Sequence, residues 1–139
     1  MKKSGSGNQR GLALNELKLV PHNPRWMGLF SKEAEQLRET SGVIDVMHIG
    51  STAIPDIDTK PVIDIAVLVI GDPSDPQLCR ALTDQSYENR GEYGLPGRQF
   101  FTKGIPPLFH LHVVSDQTEH WNDWKAFRDY MLIHSKWRK

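Results

Sequence analysis

The feature that most limits what this chain can fold into is the run Pro61–Ile70, PVIDIAVLVI. It is apolar on both alternating faces, rich in β-branched residues and shorter than most helices, which is typical of a central strand covered on both sides. Asp64 lies within this strand, where an unpartnered carboxylate is costly. The sequence therefore predicts either a functional carboxylate at Asp64 or an ion pair between Asp64 and Lys60 or Arg98.

A turn of small residues, Gly50–Ser51, precedes this strand, and Ser51 stands 13 residues before Asp64. Such a turn lets backbone N–H groups approach a phosphate. A carboxylate on the next strand can hold a divalent cation, Mg²⁺ or Mn²⁺, against the same phosphates. A turn followed by a strand carboxylate predicts a site for a nucleotide or a phosphorylated small molecule.

Length and composition fit a chain with one folded domain. The 139 residues carry zero formal net charge, so no global basic field indicates a nucleic acid or an anionic membrane as partner. No apolar run is long enough to span a bilayer, and a single cysteine, Cys79, excludes an internal disulfide. We predict a cytoplasmic protein with a disordered arm at Met1–Gly11 and one domain over residues 12–139.

The remaining elements are predicted from periodicity and turn residues. They are a helix from Met27 to Thr40, a strand over Val43–Ile49, a helix from Pro76 to Thr83, strands over Gln99–Lys103 and Leu108–Ser115, and a closing helix from Asp116 to His134. Five residues of the closing helix are predicted to form its core-facing side: Trp121, Trp124, Phe127, Met131 and Leu132. The expected fold class is α/β (α+β by definition), a mixed sheet of about five strands with helices on its faces.

Several motifs together carry a family resemblance. They are HIGSTAIP followed by KPVIDI, with PHNPRW at Pro21–Trp26, FSKEAEQL at Phe30–Leu37, HLHVV at His110–Val114 and WKAFRDY at Trp124–Tyr130. In these motifs the chain resembles the GrpB family of bacterial proteins. The resemblance implies a nucleotidyltransferase-like mixed β-sheet with flanking helices, and an early strand in Leu12–Val20. It also implies phosphate contacts from Gly50, Ser51 and Thr52, with Asp64 as the catalytic carboxylate.

The strand after the turn departs from the wider nucleotidyltransferase pattern. Enzymes of that fold carry an acid–hydrophobic–acid triplet there and a further acid on a later strand, but this chain has Asp64–Ile65–Ala66 and no acid in HLHVV. Loss of the second acid is usual among GrpB relatives. Two functions stay open. One is transfer of a nucleotidyl group from a bound NTP to an unknown acceptor, and the other is a non-catalytic nucleotide-, phosphometabolite- or partner-binding module with a degenerate site.

His110 and His112 are candidates for an altered site. Residues two apart in a strand point to the same face, so both imidazoles are expected on one side of the sheet. With Asp64 they could form a metal site, for which imidazole favours Zn, Cu, Ni or Fe over Mg. They could instead contact a phosphate or be structural. His48, just before the turn, is open to the same interpretations, and its structural role would be to cap the turn's backbone.

Charged residues near the turn complete the candidate set. Lys60, Arg98 and Lys103 are the cations best placed for phosphate, although Lys103 fits a solvated face equally well. Asp56 and Asp58 either help to hold a cation or cap a turn. Lys125 and Asp129 are spaced for an ion pair along the closing helix, since they lie four residues apart.

Overall fold

The structure is a computed structural model that describes residues 19–55 and 57–134. Its elements are α1 (Arg25–Arg38), β1 (Val43–Ile49), a 3-10 turn (Ser51–Ala53), β2 (Ile63–Val69), α2 (Pro76–Asp84), β3 (Glu88–Asn89), β4 (Arg98–Lys103), β5 (Phe109–Ser115) and α3 (His120–His134). The closing helix begins at His120 rather than Asp116, because residues 116–119 form a turn and bends. The predicted arm Met1–Gly11, most of Leu12–Val20 and Asp56 lie outside the described residues.

The five strands form one mixed sheet in the order β1-β2-β5-β4-β3. β2 pairs antiparallel with β1 and parallel with β5, so it has a strand on each side, as its composition predicts. β4 pairs antiparallel with both β5 and β3. The expected α/β class, a mixed sheet of about five strands with helices on its faces, is confirmed. No helix in the described ranges is long and apolar enough to cross a membrane.

One face of the sheet, called here the covered face, packs against α1 and α2. Successive strand residues point to opposite faces, and β2 sends Ile63, Ile65, Val67 and Val69 to the covered face, each fully buried. α1 adds Trp26, Ala34 and Leu37, and α2 adds Leu78 and Leu82, to the same hydrophobic cluster. Asp75 begins α2 by accepting hydrogen bonds from the N–H groups of Gln77 and Leu78. This face contains most of the buried apolar residues of the described chain.

The opposite face, called here the site face, carries Asp64, Ala66 and Leu68 of β2. Its buried cluster is small and consists of Met47, Ile49, Ala66, Val114 and Trp121. The predicted core-facing side of α3 is wrong for Phe127 and Leu132, whose exposed fractions are 63% and 41%. The reason is that α3 packs on the sheet through Trp121 and Trp124, while Phe127 borders an open cavity. The site face is therefore only partly covered.

Lys103 lies on the covered face, away from the candidate site. Its Nζ is 2.5 Å from Glu33 Oε2 and lies over the ring of Tyr87, whose hydroxyl donates to the same oxygen at 2.7 Å. Burial and the neighbouring Glu33 carboxylate raise the pKa of Tyr87 well above its ordinary value. Both interpretations offered for Lys103 from sequence, a phosphate contact and a solvated face, are wrong, because Lys103 is the partner of a buried carboxylate.

Candidate functional site

The Gly50–Ser51 turn lies directly against the Asp64 carboxylate. Gly50 has φ +76° and ψ −175°, and a Cβ atom placed on it would lie 2.7 Å from Asp64 Oδ2. A side chain at this position would overlap the carboxylate, and the positive φ is a conformation that glycine adopts without strain. The structure thus brings together the turn and the strand carboxylate that the sequence pairs.

Two histidines from β5 surround the Asp64 carboxylate. The parallel register of β2 and β5 places Asp64 opposite His110 and Ala66 opposite His112. His112 Nε2 lies 3.0 Å from Asp64 Oδ1, and His110 Nδ1 lies 3.6 Å from the same oxygen. The alternative ion pair of Asp64 with Lys60 or Arg98 is wrong, because the carboxylate interacts with imidazoles from the adjacent strand.

Arg98 determines which nitrogen of His112 carries the proton. Arg98 Nη1 lies 3.2 Å from His112 Nδ1, and a guanidinium can only donate, so Nδ1 accepts and Nε2–H donates to Asp64. Arg98 Nη2 donates to the carbonyl oxygens of Glu92 and Tyr93, which fixes the guanidinium. Arg98, His112 and Asp64 therefore form a chain of hydrogen bonds in which Arg98 reaches the carboxylate only through His112.

Asp64 is ionised at neutral pH. Burial raises the pKa of its carboxyl group, but hydrogen bonds from the imidazoles of His110 and His112 outweigh this and leave the pKa below its ordinary value. Both imidazoles interact with Oδ1, whereas Oδ2 accepts no hydrogen bond from the described residues and faces Gly50. One carboxylate oxygen thus stays available to a ligand beside the turn.

His48 and Thr52 support the turn from the covered face. His48 Nε2 hydrogen-bonds the Thr52 hydroxyl at 3.0 Å, and the His48 ring stacks on Phe30 of α1. The expected backbone cap is wrong, because His48 meets a side chain instead. Burial lowers the pKa of His48 to about 4 despite the nearby Asp64 charge, so its ring is neutral at pH 7. Thr52 is buried and lines neither cavity beside Asp64, which leaves its expected phosphate contact unsupported by the geometry.

Two cavities meet at Ser51 and Asp64. The first, of about 470 Å³, is called the apolar cavity, and it is lined by Ile49, Gly50, Ser51, Ile54, Ile57, Asp64, Leu95, Arg98, His112, Trp124, Phe127, Arg128 and Met131. The second, of about 540 Å³, is called the polar cavity, and it is lined by Leu19, Ser51, Asp58, Thr59, Lys60, Val62, Asp64 and His110. His110 and His112 share a face of the sheet, as predicted, but they border different cavities on either side of Asp64.

The polar cavity contains three of the predicted phosphate contacts, Ser51, Lys60 and His110. Lys60 is exposed, and the Ser51 hydroxyl contacts that of Thr59. His110 Nε2 is buried and has no hydrogen-bond partner among the described residues. A buried imidazole nitrogen without a partner is unusual, since such groups are nearly always satisfied. The polar cavity therefore offers a lysine, a hydroxyl and an imidazole to an anion.

The donor set beside the turn fits a divalent cation that arrives with a phosphate. Among the described residues, no group of three or more His, Cys, Asp and Glu side chains is arranged to hold a metal ion. Asp64 Oδ2 is one open carboxylate oxygen, and Ala66, fully buried, stands where a second acid is absent. Mg²⁺ can still bind through one carboxylate when phosphate oxygens and water supply its other ligands. Metal ligation by Asp64, His110 and His112 together stays a prediction.

The α3 residues that line the apolar cavity were not identified as site residues from the sequence. The apolar stripe of α3 was assigned to the core, yet Phe127 and Leu132 of that stripe are exposed, as are the neighbouring Tyr130 and Ile133. A signal for this was present, because apolar residues 130 to 133 are consecutive and cannot all share one buried face of a helix. Asp129 pairs with the neighbouring Arg128 rather than with Lys125, so that predicted ion pair is wrong.

Comparison with known proteins agrees with this architecture. A sequence profile described as GrpB protein matches residues 16–139. The chain belongs to the GrpB family. It is 30% identical to UPF0157 protein YqkA of Bacillus subtilis over 122 residues, which cover 86% of this chain and 36% of that protein. It is 33% identical to Glutamate-rich protein GrpB of Alkalihalophilus pseudofirmus, covering 87% of this chain and 74% of that protein.

This GrpB chain spans only part of several relatives. It covers about a third of the YqkA protein and about half, 52%, of UPF0157 protein PA4798 of Pseudomonas aeruginosa, to which it is 31% identical over 86% of its own length. Among solved structures it is similar to conserved protein GrpB from Enterococcus faecalis, with a TM-score of 0.78 and 32% identity over 86% of this chain and 74% of that one.

A more distant similarity supports the fold class. A structure of the Cid1 poly(U) polymerase matches with a TM-score of 0.52 and 12% identity, covering 87% of this chain and 41% of that one. At this identity the match establishes a shared nucleotidyltransferase-like fold and no more. The predicted GrpB membership and the predicted fold are both confirmed.

Proposed function

We propose that this GrpB chain binds a nucleoside triphosphate together with a divalent cation, Mg²⁺ or Mn²⁺, at the Gly50–Ser51 turn and Asp64. The observation that carries the proposal is the packing of Gly50 against Asp64, which leaves an ionised carboxylate oxygen open beside a small-residue turn. A cation held there would face phosphate oxygens placed on the turn. The cation would neutralise phosphate charge and polarise the phosphoryl group.

The polar cavity is the proposed phosphate site. Lys60 supplies a positive charge there, and Ser51 supplies a hydroxyl beside the Asp64 carboxylate. His110 Nε2, buried and without a partner, would donate to a phosphate oxygen when both ring nitrogens carry a proton, because Nδ1 faces the Asp64 carboxylate. Arg98 borders the other side of Asp64 and is already bound to His112 and two carbonyl groups, so we assign it to holding His112 rather than to direct phosphate contact.

Nucleotidyl transfer is the reaction that this placement would serve. An acceptor hydroxyl oxygen would form a bond to the α-phosphorus, the bond from that phosphorus to the bridging oxygen would break, and pyrophosphate would leave. The hydroxyl proton would pass to solvent water, because Oδ2 of Asp64 is the oxygen assigned to the cation. Asp64 would orient the phosphates through the cation, and Lys60 would offset charge on the departing pyrophosphate.

One observation favours the alternative of binding without transfer. The buried Ala66 lies opposite His112, so the chain presents one carboxylate and two imidazoles on β2 and β5 in place of a set of acids. A site with one carboxylate has fewer ligands for the paired cations that stabilise attacking and leaving oxygens. In this alternative the chain is a nucleotide- or phosphometabolite-binding module that acts on a partner.

Thermal unfolding tests the binding proposal. The protein is heated with each NTP, with and without Mg²⁺ or Mn²⁺, and compared with Asp64→Asn and with the control Asp84→Asn, which changes an exposed carboxylate of α2 that lines neither cavity. Ligand at about 100 times its Kd stabilises by about 2.7 kcal/mol, which is roughly 5–15 °C in Tm at this size. We expect a cation-dependent rise in the native protein and in Asp84→Asn, and none in Asp64→Asn.

The same samples separate the two functions. Pyrophosphate release that depends on Asp64, with water or an added hydroxyl compound as acceptor, favours transfer, and a rise in Tm without such release favours the binding module. If no NTP raises the Tm of the native protein with either cation, the proposed nucleotide site is contradicted.

A further inference from the structure

We infer that the apolar cavity is the subsite for the heteroaromatic base of the nucleotide, with Phe127 and Trp124 as its stacking surface. This inference rests on the proposed function, because the apolar cavity and the proposed phosphate site share Ser51 and Asp64. A nucleotide whose phosphates contact Ser51 and a cation on Asp64 has its sugar at that junction. Its base then continues into the apolar cavity.

The walls of the apolar cavity suit a flat ring. Trp124 and Phe127 lie three residues apart on α3 and both line the cavity, while Ile54 and Ile57 come from the segment after the turn. Aromatic and aliphatic side chains provide faces on which a base can stack. The volume of about 470 Å³ lies within the range of small-molecule sites, which are mostly apolar with a few placed polar groups.

The exposure of Phe127 is a second observation that supports a ligand site in the apolar cavity. This side chain is 63% exposed, although the sequence pattern of α3 assigns it to a core-facing stripe. Described residues that pack on the sheet from α3 are Trp121 and Trp124, one to two turns earlier. Clustered apolar surface that borders a cavity, rather than scattered singly, commonly marks a ligand site. Phe127 therefore has an apolar face available to a ligand.

Arg98 gives the cavity a polar edge with an unused donor. Its Nη1 and Nη2 atoms donate within the protein, but its Nε is buried and has no acceptor among the described residues. A buried donor without an acceptor costs free energy. Ring nitrogens and carbonyl oxygens at the edge of a base are acceptors of the required kind. A base in this cavity would stack on Phe127, with its acceptor edge on the side that Arg98 borders.

Isothermal titration calorimetry with three probes tests the inference. The probes are an NTP, inorganic tripolyphosphate and the matching free nucleoside, each with Mn²⁺. The variants are Phe127→Ala and the control Tyr130→Ala, which removes another exposed aromatic ring of α3 that does not line the cavity. We expect Phe127→Ala to weaken NTP binding roughly tenfold, the loss of one stacked base. Tripolyphosphate binding should not change, and Tyr130→Ala should alter neither.

A second variant controls for the case in which Phe127→Ala weakens NTP binding indirectly, by disturbing the structure around the cavity. Ile57→Trp would narrow the apolar cavity from the segment after the turn, and it should reproduce the selective loss of NTP affinity. Equal affinity of the native protein for NTP and tripolyphosphate would overturn the base subsite and leave the proposed phosphate site standing. NTP binding that depends on Phe127 but not on Asp64 or the cation would support the base subsite and contradict the proposed function.

Discussion

The two faces of the sheet are built from alternate residues of the same strands, yet they differ in burial and in chemical character. On β2, Ile63, Ile65 and Val67 face α1 and α2 and are fully buried. Between them, Asp64 and Ala66 face α3, and Asp64 contacts imidazoles and an open cavity. The covered face is closed by two helices, whereas the site face is closed by the first half of one.

Along β2, the residues that stabilise the fold and the residues that form the candidate site therefore lie on opposite faces of the sheet. The covered face provides the large cluster of buried apolar residues, and such burial is the main favourable contribution to folding. It therefore holds the strands rigid enough for the site face to keep a buried, ionised carboxylate. The site face contributes little apolar burial, so its residues can be substituted with smaller effects on folding. The following experiments test this division, from the largest expected effect to the smallest.

Truncation of a covered-face residue should cost the most stability. Ile65→Ala removes a fully buried side chain, and such changes typically destabilise by about 2–5 kcal/mol. Leu68→Ala, three residues along the same strand on the site face, removes a partly buried side chain and should cost less than half as much. Urea unfolding with a common m-value measures both. Equal losses would contradict the proposed division between the faces.

The strands and helices could be predicted from the sequence, since each has its own spacing of apolar residues. β1 was predicted at the bounds observed, Val43–Ile49, and β2 within two residues of its ends. β2 was recognised as central because its residues are apolar on both faces, and the interior of a mixed sheet requires this. The meeting of Gly50 and Asp64 also followed, because a strand, a turn and an adjacent strand bring these residues together.

Side-chain contacts that depend on strand register and on long-range packing could not be predicted from the sequence. Asp64 meets His110 and His112 because β2 and β5 are parallel neighbours, and no local pattern fixes which strands pair. Lys103 was placed near the site by its charge, but its position in β4 directs it to Glu33 on the covered face. The exposed side of α3 depends on how far the helix extends past the sheet, which its sequence does not specify.

The pH dependence of stability should report on His48, which lies between the covered face and the turn. Its pKa falls from an ordinary 6.5 to about 4, so the unfolded chain binds more protons between these values. Stability should therefore fall as pH falls from about 6.5 to 4, by at most about 3 kcal/mol. Urea unfolding across this range should show a smaller fall in His48→Gln. Asp64, whose lowered pKa affects stability only below about pH 4, does not account for this window.

A substitution at Gly50 should affect the site more than the fold. Gly50→Ala and Gly42→Ala both place a side chain at positive φ, and each should cost about 1–3 kcal/mol. Only at Gly50 does the new Cβ meet Asp64, whereas nothing lies within 4 Å of a Cβ at Gly42. The cation-dependent NTP response should therefore disappear in Gly50→Ala and persist in Gly42→Ala. Retention of this response in Gly50→Ala would show that the turn and the carboxylate do not act together.

The smallest effect is expected at the edge of the apolar cavity. Arg128 Nη2 lies 2.8 Å from Asp129 Oδ1, and the Asp129 side chain is 46% exposed. Exposed ion pairs contribute about 0–1 kcal/mol, so Asp129→Asn should change stability by less than about 0.5 kcal/mol. The same change frees Arg128, which lines the cavity, and should strengthen NTP binding slightly at low salt. A loss of several kcal/mol of stability would mean that this end of α3 supports the fold, and the contrast between the two faces would then fail.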